Sequence, residues 1–364
     1  MTGYIFFSKI DIDRVYEYMK IFDYSFLLDG MFPVDILNYI KNIAVSQEKE
    51  ERLKEVYFET FMTLEDIAKI ESVISSNEIE GIITSRERAI EILKLGKAPN
   101  THDEKEILGY KDALKLIHEN HYDLDINEYD IKQLHRVLLA QSDNEGGEYK
   151  QVNNGIYRII GGVPKLHFET ISYKETPQAM EQLIGSFIYA RQNGANDLLL
   201  LPCFILDFLS IHPFIDGNGR TSRLLSLLLM YKAGYDVGKY ISFEGKINQY
   251  KAQYYQALSE SSIGWHENQN SYIPFIKNFL WTLMLCYKDL QGKFTGVGKE
   301  KATKKERVRG LILNSPNSLS KKEIQERLPD ISAVTITKAL IELEKSGLIK
   351  KVGTGTNIKY IKNK

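Results

Sequence analysis

The chain has 364 residues, 43% of them hydrophobic and 26% charged, with a formal net charge of -1. This size and composition predict two or three globular domains, and the two cysteines, Cys203 and Cys286, exclude a disulfide framework and read as buried free thiols of a reducing compartment. With no signal-peptide pattern and no apolar run long enough to span a bilayer, the expected location is the cytoplasm, away from membranes.

Residues 1–60 read as a mixed opening followed by helices. From Thr63 the apolar positions Leu64, Ile67, Ala68, Ile70, Val73 and Ile74 recur at helical spacing, and Gly81 is suited to end that helix. A second helix starts at about Ser85, and further helical patterns cover about 102–120, 127–141, 174–193, 196–211 and 219–233. Residues 149–171 instead read as a β-hairpin with Gly161 and Gly162 inside it. The helical body continues to about 290. Residues 291–303 are Gly- and Lys-rich without periodicity and predict a linker. Beyond it come helices at about 304–314, 320–328 and 332–346, then strands around 348–352 and 358–361, the order of a winged helix-turn-helix. Charge divides the same way. Residues 299–364 hold 16 Lys+Arg against 7 Asp+Glu, and the preceding body holds 31 against 41. A basic module on an acidic body is the expectation.

The densest chemistry lies in His212-Pro-Phe-Ile-Asp-Gly-Asn-Gly-Arg-Thr-Ser-Arg223. A buried apolar helix delivers His212, a general-base candidate. Gly217, Asn218 and Gly219 form a tight loop that feeds a helix N-terminus, where unpaired N–H groups and the helix dipole favour phosphate. Arg220 and Arg223 add two forked cations one turn apart. Asp216 offers a hard oxygen suited to Mg²⁺. Base, metal ligand, phosphate cradle and two arginines within twelve residues describe phosphoryl-type transfer.

This segment resembles the complete signature of the Fic (filamentation induced by cAMP) family, H-x-F-x-(D/E)-G-N-G-R-x-x-R, at every fixed position. The resemblance covers about residues 60–290 and implies a mainly α fold, a Fic-type helical bundle with a short β-hairpin flap, here followed by the winged helix-turn-helix. It implies that His212 deprotonates a Ser, Thr or Tyr hydroxyl of a target protein, or of the chain itself. It further implies that Asp216 binds Mg²⁺, that Gly217, Asn218 and Gly219 hold the phosphates of ATP with Arg220 in support, and that Arg223 holds the γ-phosphate. Phe214 would pack the loop into the core. The product would be AMP on the protein, with release of pyrophosphate. Residues 149–172, with Gly161 and Gly162, take the place of the flap. Tyr254 resembles an aromatic near the nucleotide, or is a core aromatic. Asp207 orients a neighbour near the nucleotide, or is a satisfied structural carboxylate.

Ser76-x-x-x-Glu80-Gly81 is similar to the family's inhibitory motif, (S/T)-x-x-x-E-(G/N), on a helix of about 63–81. The implied device is electrostatic: Glu80 pairs with Arg223 and removes the cation that productive ATP binding needs. In some relatives the same glutamate serves removal of AMP. The domains expected are an N-terminal helical region 1–100, a catalytic core 101–290, a linker 291–303 and the C-terminal module 304–364, whose partner is DNA or a protein surface. A homodimer stays open, as does the alternative that the chain senses nucleotide and acts through its C-terminal module as a transcriptional or adaptor protein. The target is not legible.

Overall fold

The computed structural model describes residues 20–142, 146–294, 303–313, 315, 317–353 and 358–363. Its helical body runs α1 (Phe26–Asp29), α2 (Val34–Val56), α3 (Phe58–Ile79), α4 (Arg86–Leu95), α5 (His102–Asn120) and α6 (Glu128–Leu139). A hairpin follows, β1 (Gly155–Ile160) and β2 (Val163–Glu169). The body then closes with α7 (Thr176–Gln192), α8 (Asp197–Ile211), α9 (Asn218–Lys232), α10 (Phe243–Gln249), α11 (Lys251–Ser261) and α12 (Ile273–Phe294).

The core is organised around α8 and α9. The α8 sequence is apolar nearly all round apart from Asp207 and Ser210, and the helix is buried almost end to end, the expected fate of a helix without a polar face. The Asn196 side chain caps it by accepting from the Leu198 N–H. Helices α7 and α12 pack on α8, while α5 and α6 pack on α9. Among the partners of α3 are α5 and α10. Both cysteines are buried and free. Among the described residues no helix is long and apolar enough to cross a membrane.

Helix α3 begins five residues earlier than its periodicity predicts. The single residue Tyr57 breaks it from α2, and Phe58 and Phe61 are buried. Its other end closes as expected. Gly81 sits at φ +82, its N–H donates to Glu78 O and the Ile82 N–H donates to Asn77 O, a Schellman ending. The hairpin pairs in antiparallel register from Gly155↔Glu169 to Ile160↔Val163. Its turn residues Gly161 and Gly162 both have positive φ, +61 and +82, as a tight two-residue turn requires.

After the body come α13 (Lys304–Leu313), β3 (Leu319–Ser320), α14 (Lys321–Arg327), α15 (Ala333–Lys345), β4 (Ile349–Val352) and β5 (Lys359–Lys362). The three strands order as β3-β5-β4, all antiparallel. These elements bury their own core, including Val308, Ile312, Ile324, Leu340 and Tyr360. Phe58, the first residue of α3, is part of that core. Arg309 covers the Phe58 ring at 5.3 Å and pairs with Glu59. The C-terminal unit therefore rests on the start of α3. The linker expected at 291–303 is shorter at its beginning, because α12 continues to Phe294, which stacks on Phe61 at 5.3 Å and tilts against Tyr57 at 5.1 Å. Residues 295–302 lie outside the described residues.

Candidate active site

The C-terminus of α8 and the N-terminus of α9 meet at the floor of a cavity of about 800 Å³. The loop 212–217 joins them. The walls come from the end of α3, the start of α5, the hairpin and α11, through residues such as Glu80, His102, Tyr157, Phe168 and Tyr254.

His212 caps α8 in the left-handed region, φ 53 and ψ 60. That conformation is uncommon for a residue with a Cβ, and it turns the ring out of the helix into the cavity wall. Its Nδ1 lies 3.1 Å from the Leu209 carbonyl oxygen. A carbonyl can only accept, so in the neutral ring the proton sits on Nδ1 and Nε2 keeps its lone pair. Burial lowers the His212 pKa to about 4, assisted by the charge of Lys150 and opposed by the Leu209 bond, Glu80 and Asp216. The imidazole is thus a free base at neutral pH.

The loop is held from below. Phe214 is fully buried and stacks on the His135 ring, 3.7 Å between centroids and 7° apart. His135 accepts from the Gly147 N–H on Nδ1 and donates from Nε2 to Asp216 O. Burial lowers its pKa to about 4. The Asn218 amide braces the loop itself, accepting from Phe214 N–H at 2.9 Å and donating to Phe214 O at 2.8 Å. The two glycines serve different needs. Gly217 takes φ +75, which favours glycine. Gly219 provides a close approach, since a Cβ there would stand 2.2 Å from Glu80 Oε1.

The two arginines of α9 are both buried, and they part company in their partners. Arg220 donates to Glu106 Oε2 at 2.8 Å and to Asp216 Oδ2 at 3.3 Å. Glu106 is itself buried and also meets His102 at 3.2 Å. Arg223 donates to Glu80 Oε1 at 2.7 Å, to Ser76 O at 2.9 Å and, through Nε, to Ser76 Oγ at 2.8 Å. Burial opposes its charge, and Glu80 with the neighbouring Tyr254 and Tyr110 more than offsets this, so its pKa is raised. The end of α3 is pinned in this position by Lys251, which donates to Ile79 O at 2.6 Å, and by Asn248, which donates to Glu78 at 2.7 Å.

One sequence assignment changes, that of the hairpin glycines, and two positions read with alternatives take their place. Asp207 is not in the cavity wall. It is fully enclosed and accepts from Tyr24, Trp265 and Tyr272 at 2.7 to 3.1 Å, and burial raises its pKa. It is a satisfied structural carboxylate. Gly161 and Gly162 form the exposed hairpin turn and do not line the cavity; Ile156, Tyr157, Arg158, His167 and Phe168 do. Tyr254 is both things at once, 6% exposed in the core yet on the cavity wall beside Arg223. Sequence reading missed Glu106, His135, Lys150 and Asn154. A histidine inside the apolar stripe Ile131, Leu134 and Leu138 was a signal for His135; nothing local marks Glu106.

Asp216 stands at the cavity lip with its side chain 46% exposed. Among the described residues no cluster of three or more His, Cys, Asp or Glu is placed for a metal. A single carboxylate beside a helix N-terminus suits Mg²⁺, which is usually held by one or two carboxylates together with substrate phosphates.

Residues 125–230 match the family model described as the Fic/DOC family. Over 142 residues the chain is 37% identical to the protein adenylyltransferase Fic of Drosophila yakuba and 35% identical to that of Drosophila melanogaster, which covers 38% of this chain and 26% and 27% of theirs. The chain thus spans about a quarter of the length of these curated relatives. In fold it is similar to a Fic family protein of Desulfovibrio desulfuricans G20, with a TM-score of 0.61, 19% identity and coverage of 91% and 97% of the two chains. It is also similar to a Fic domain containing signaling protein of Bacteroides thetaiotaomicron, with a TM-score of 0.56, 24% identity and coverage of 69% and 98%.

Proposed function

We propose, from the match of residues 125–230 to the Fic/DOC family, that the protein is an autoinhibited adenylyltransferase that moves AMP from ATP to a protein hydroxyl, its own included. The hydroxyl gives its proton to Nε2 of His212, and its oxygen bonds to the α-phosphorus of ATP. The bond from that phosphorus to the β-bridging oxygen breaks, and pyrophosphate leaves. The start of α9 supplies backbone N–H groups to the phosphates, and the Arg220–Glu106–Asp216 network fixes that helix end. Asp216 would hold Mg²⁺, which when bound neutralises phosphate charge.

The observation that carries the inhibited state is Glu80 on Arg223 at 2.7 Å, with Gly219 directly beneath the carboxylate. An anion of the protein's own covers the end of α9, where the phosphates would lie. Glu80→Gly should therefore take up label from [α-³²P]ATP into the protein, and His212→Ala in that background should not. Equal labelling from ATP, GTP, UTP and CTP would remove the adenine assignment, which rests on the relatives; the loop reads phosphate alone. Failure of Glu80→Gly to label in the folded state with every nucleotide would remove the transfer reading.

For the C-terminal unit, we propose a winged helix that contacts protein. Helix α15 exposes Val334 (65%) and Ile341 (45%), and its Lys338 and Lys345 are set against Glu342 and Glu344. A salt-dependent mobility shift of labelled duplex DNA by the full chain would overturn that choice.

A further inference from the structure

The backbone that carries His212 is held by a strap outside the signature. Four successive carbonyls, those of Ile211, His212, Pro213 and Phe214, each accept from the segment 150–154. Lys150 Nζ reaches Ile211 O at 3.0 Å, and the Lys150 N–H reaches Pro213 O at 2.8 Å. Asn154 Nδ2 spans His212 O at 3.4 Å and Phe214 O at 2.8 Å. The strap is itself tied. Lys150 spends its other two protons on Asn154 Oδ1 at 2.8 Å and Thr170 Oγ1 at 3.0 Å. Lys150 is 1% exposed and makes no carboxylate pair among the described contacts, an expensive placement for an ammonium group.

That cost has a local counterpart. His212 holds φ 53, which a residue with a Cβ adopts at a penalty and keeps only when its surroundings over-determine it. The carbonyls on both sides of the turn are the groups that fix its backbone. We propose that Lys150 and Asn154 are positioning residues that keep His212 in the left-handed turn with Nε2 facing the cavity. The strap leads directly into β1 and Thr170 directly follows β2, so the hairpin and the base share one mount. Neither residue lines the cavity, so their removal should disturb the base and spare the nucleotide.

The inference rests on the role given above to His212, and its test separates the two. In the Glu80→Gly chain, Lys150→Met and Asn154→Asp each remove donors to these carbonyls at similar size, and Lys150→Arg restores a cationic donor. The first readout is the long-range ¹H–¹⁵N spectrum of the histidine rings, taken without nucleotide. The parent should show His212 as the Nδ1–H form, and the two variants a mixture. The second readout is kinetic. Turnover should fall about 30- to 100-fold, the scale of a base displaced by about 1 Å, with KM for ATP and ATP affinity within about threefold. Lys150→Arg should recover most of the loss. An unchanged His212 spectrum with turnover within about threefold of the parent would overturn the proposal. If Lys150→Met does not fold, Asn154→Asp decides by the same readouts. If the Glu80→Gly parent transfers nothing, the reaction is wrong, and the ring spectrum still decides the strap.

Discussion

Arg220 and Arg223 sit one turn apart on the same helix, and each has a side chain only 2% exposed. Their partners differ in a way that assigns them different jobs. Arg220 is bound to Glu106, a carboxylate 5% exposed on the cavity wall, and to Asp216 as well. The two carboxylate oxygens of Glu106 are held from both sides, by Arg220 and by His102. Arg223 is bound to Glu80, 32% exposed on the last residue of a helix end that faces the cavity. The Ser76 contacts, with Tyr254 beside them, would stay behind if Glu80 swung away. A buried ion pair is a poor source of net stability, but a lone buried charge is costly. On the proposed reading the first pair fixes the helix end, and the second, made by the more exposed carboxylate, is the one that an incoming phosphate anion replaces.

Four measurements can break or sharpen this contrast, taken from the largest expected effect. His212→Ala in the Glu80→Gly chain should lower transfer by about 10³-fold, within the range for a general base, with ATP affinity within about threefold by calorimetry. Affinity lost in step with rate would mean that the freed Arg223 does not serve chemistry at His212. Glu106→Ala should destabilise the chain by about 3 kcal/mol, because it leaves the buried Arg220 with the longer Asp216 contact at 3.3 Å; a denaturant midpoint within error of wild type would make the two arginines equivalent. The third concerns pH. His212 and His135 are neutral in the fold with pKa values lowered to about 4, against about 6.5 for a free histidine. The base stays competent as pH falls through 6.5, so the transfer rate of Glu80→Gly should hold to about pH 5 and fall near 4. Over the same window the unfolded chain takes up protons that the fold refuses, so stability should decline between about pH 6.5 and 4. A rate falling at 6.5 would place His212 in solvent. Smallest of all, Glu80→Gln should change stability by less than about 1 kcal/mol, as for a partly exposed pair.

Much of this was legible in the sequence because it is local. The apolar run before His212, the two glycines around Asn218 and the capping Gly81 each fix their own few residues of backbone, and helices α4 to α9 follow the predicted spans closely. What was not legible depends on residues distant in sequence. Glu106 lies 114 positions from Arg220, and the Lys150 strap lies 61 positions from Ile211; no spacing announces either. Asp207 stayed open between two readings for the same reason, since the partners that make it structural, Tyr24, Trp265 and Tyr272, are distant in sequence. The early start of α3 was hidden because Phe58 belongs to the core of a unit 250 residues further on.

The central claim is that Glu80 blocks the end of α9 by holding Arg223. Its most direct test is incorporation of [α-³²P]ATP by four chains side by side: wild type, Glu80→Gly, Arg223→Ala, and the double variant. Labelling should be low in wild type, at least about tenfold higher in Glu80→Gly, and low in both chains that lack Arg223, whether or not Glu80 is present. Equal labelling of wild type and Glu80→Gly, or full labelling without Arg223, would contradict the account.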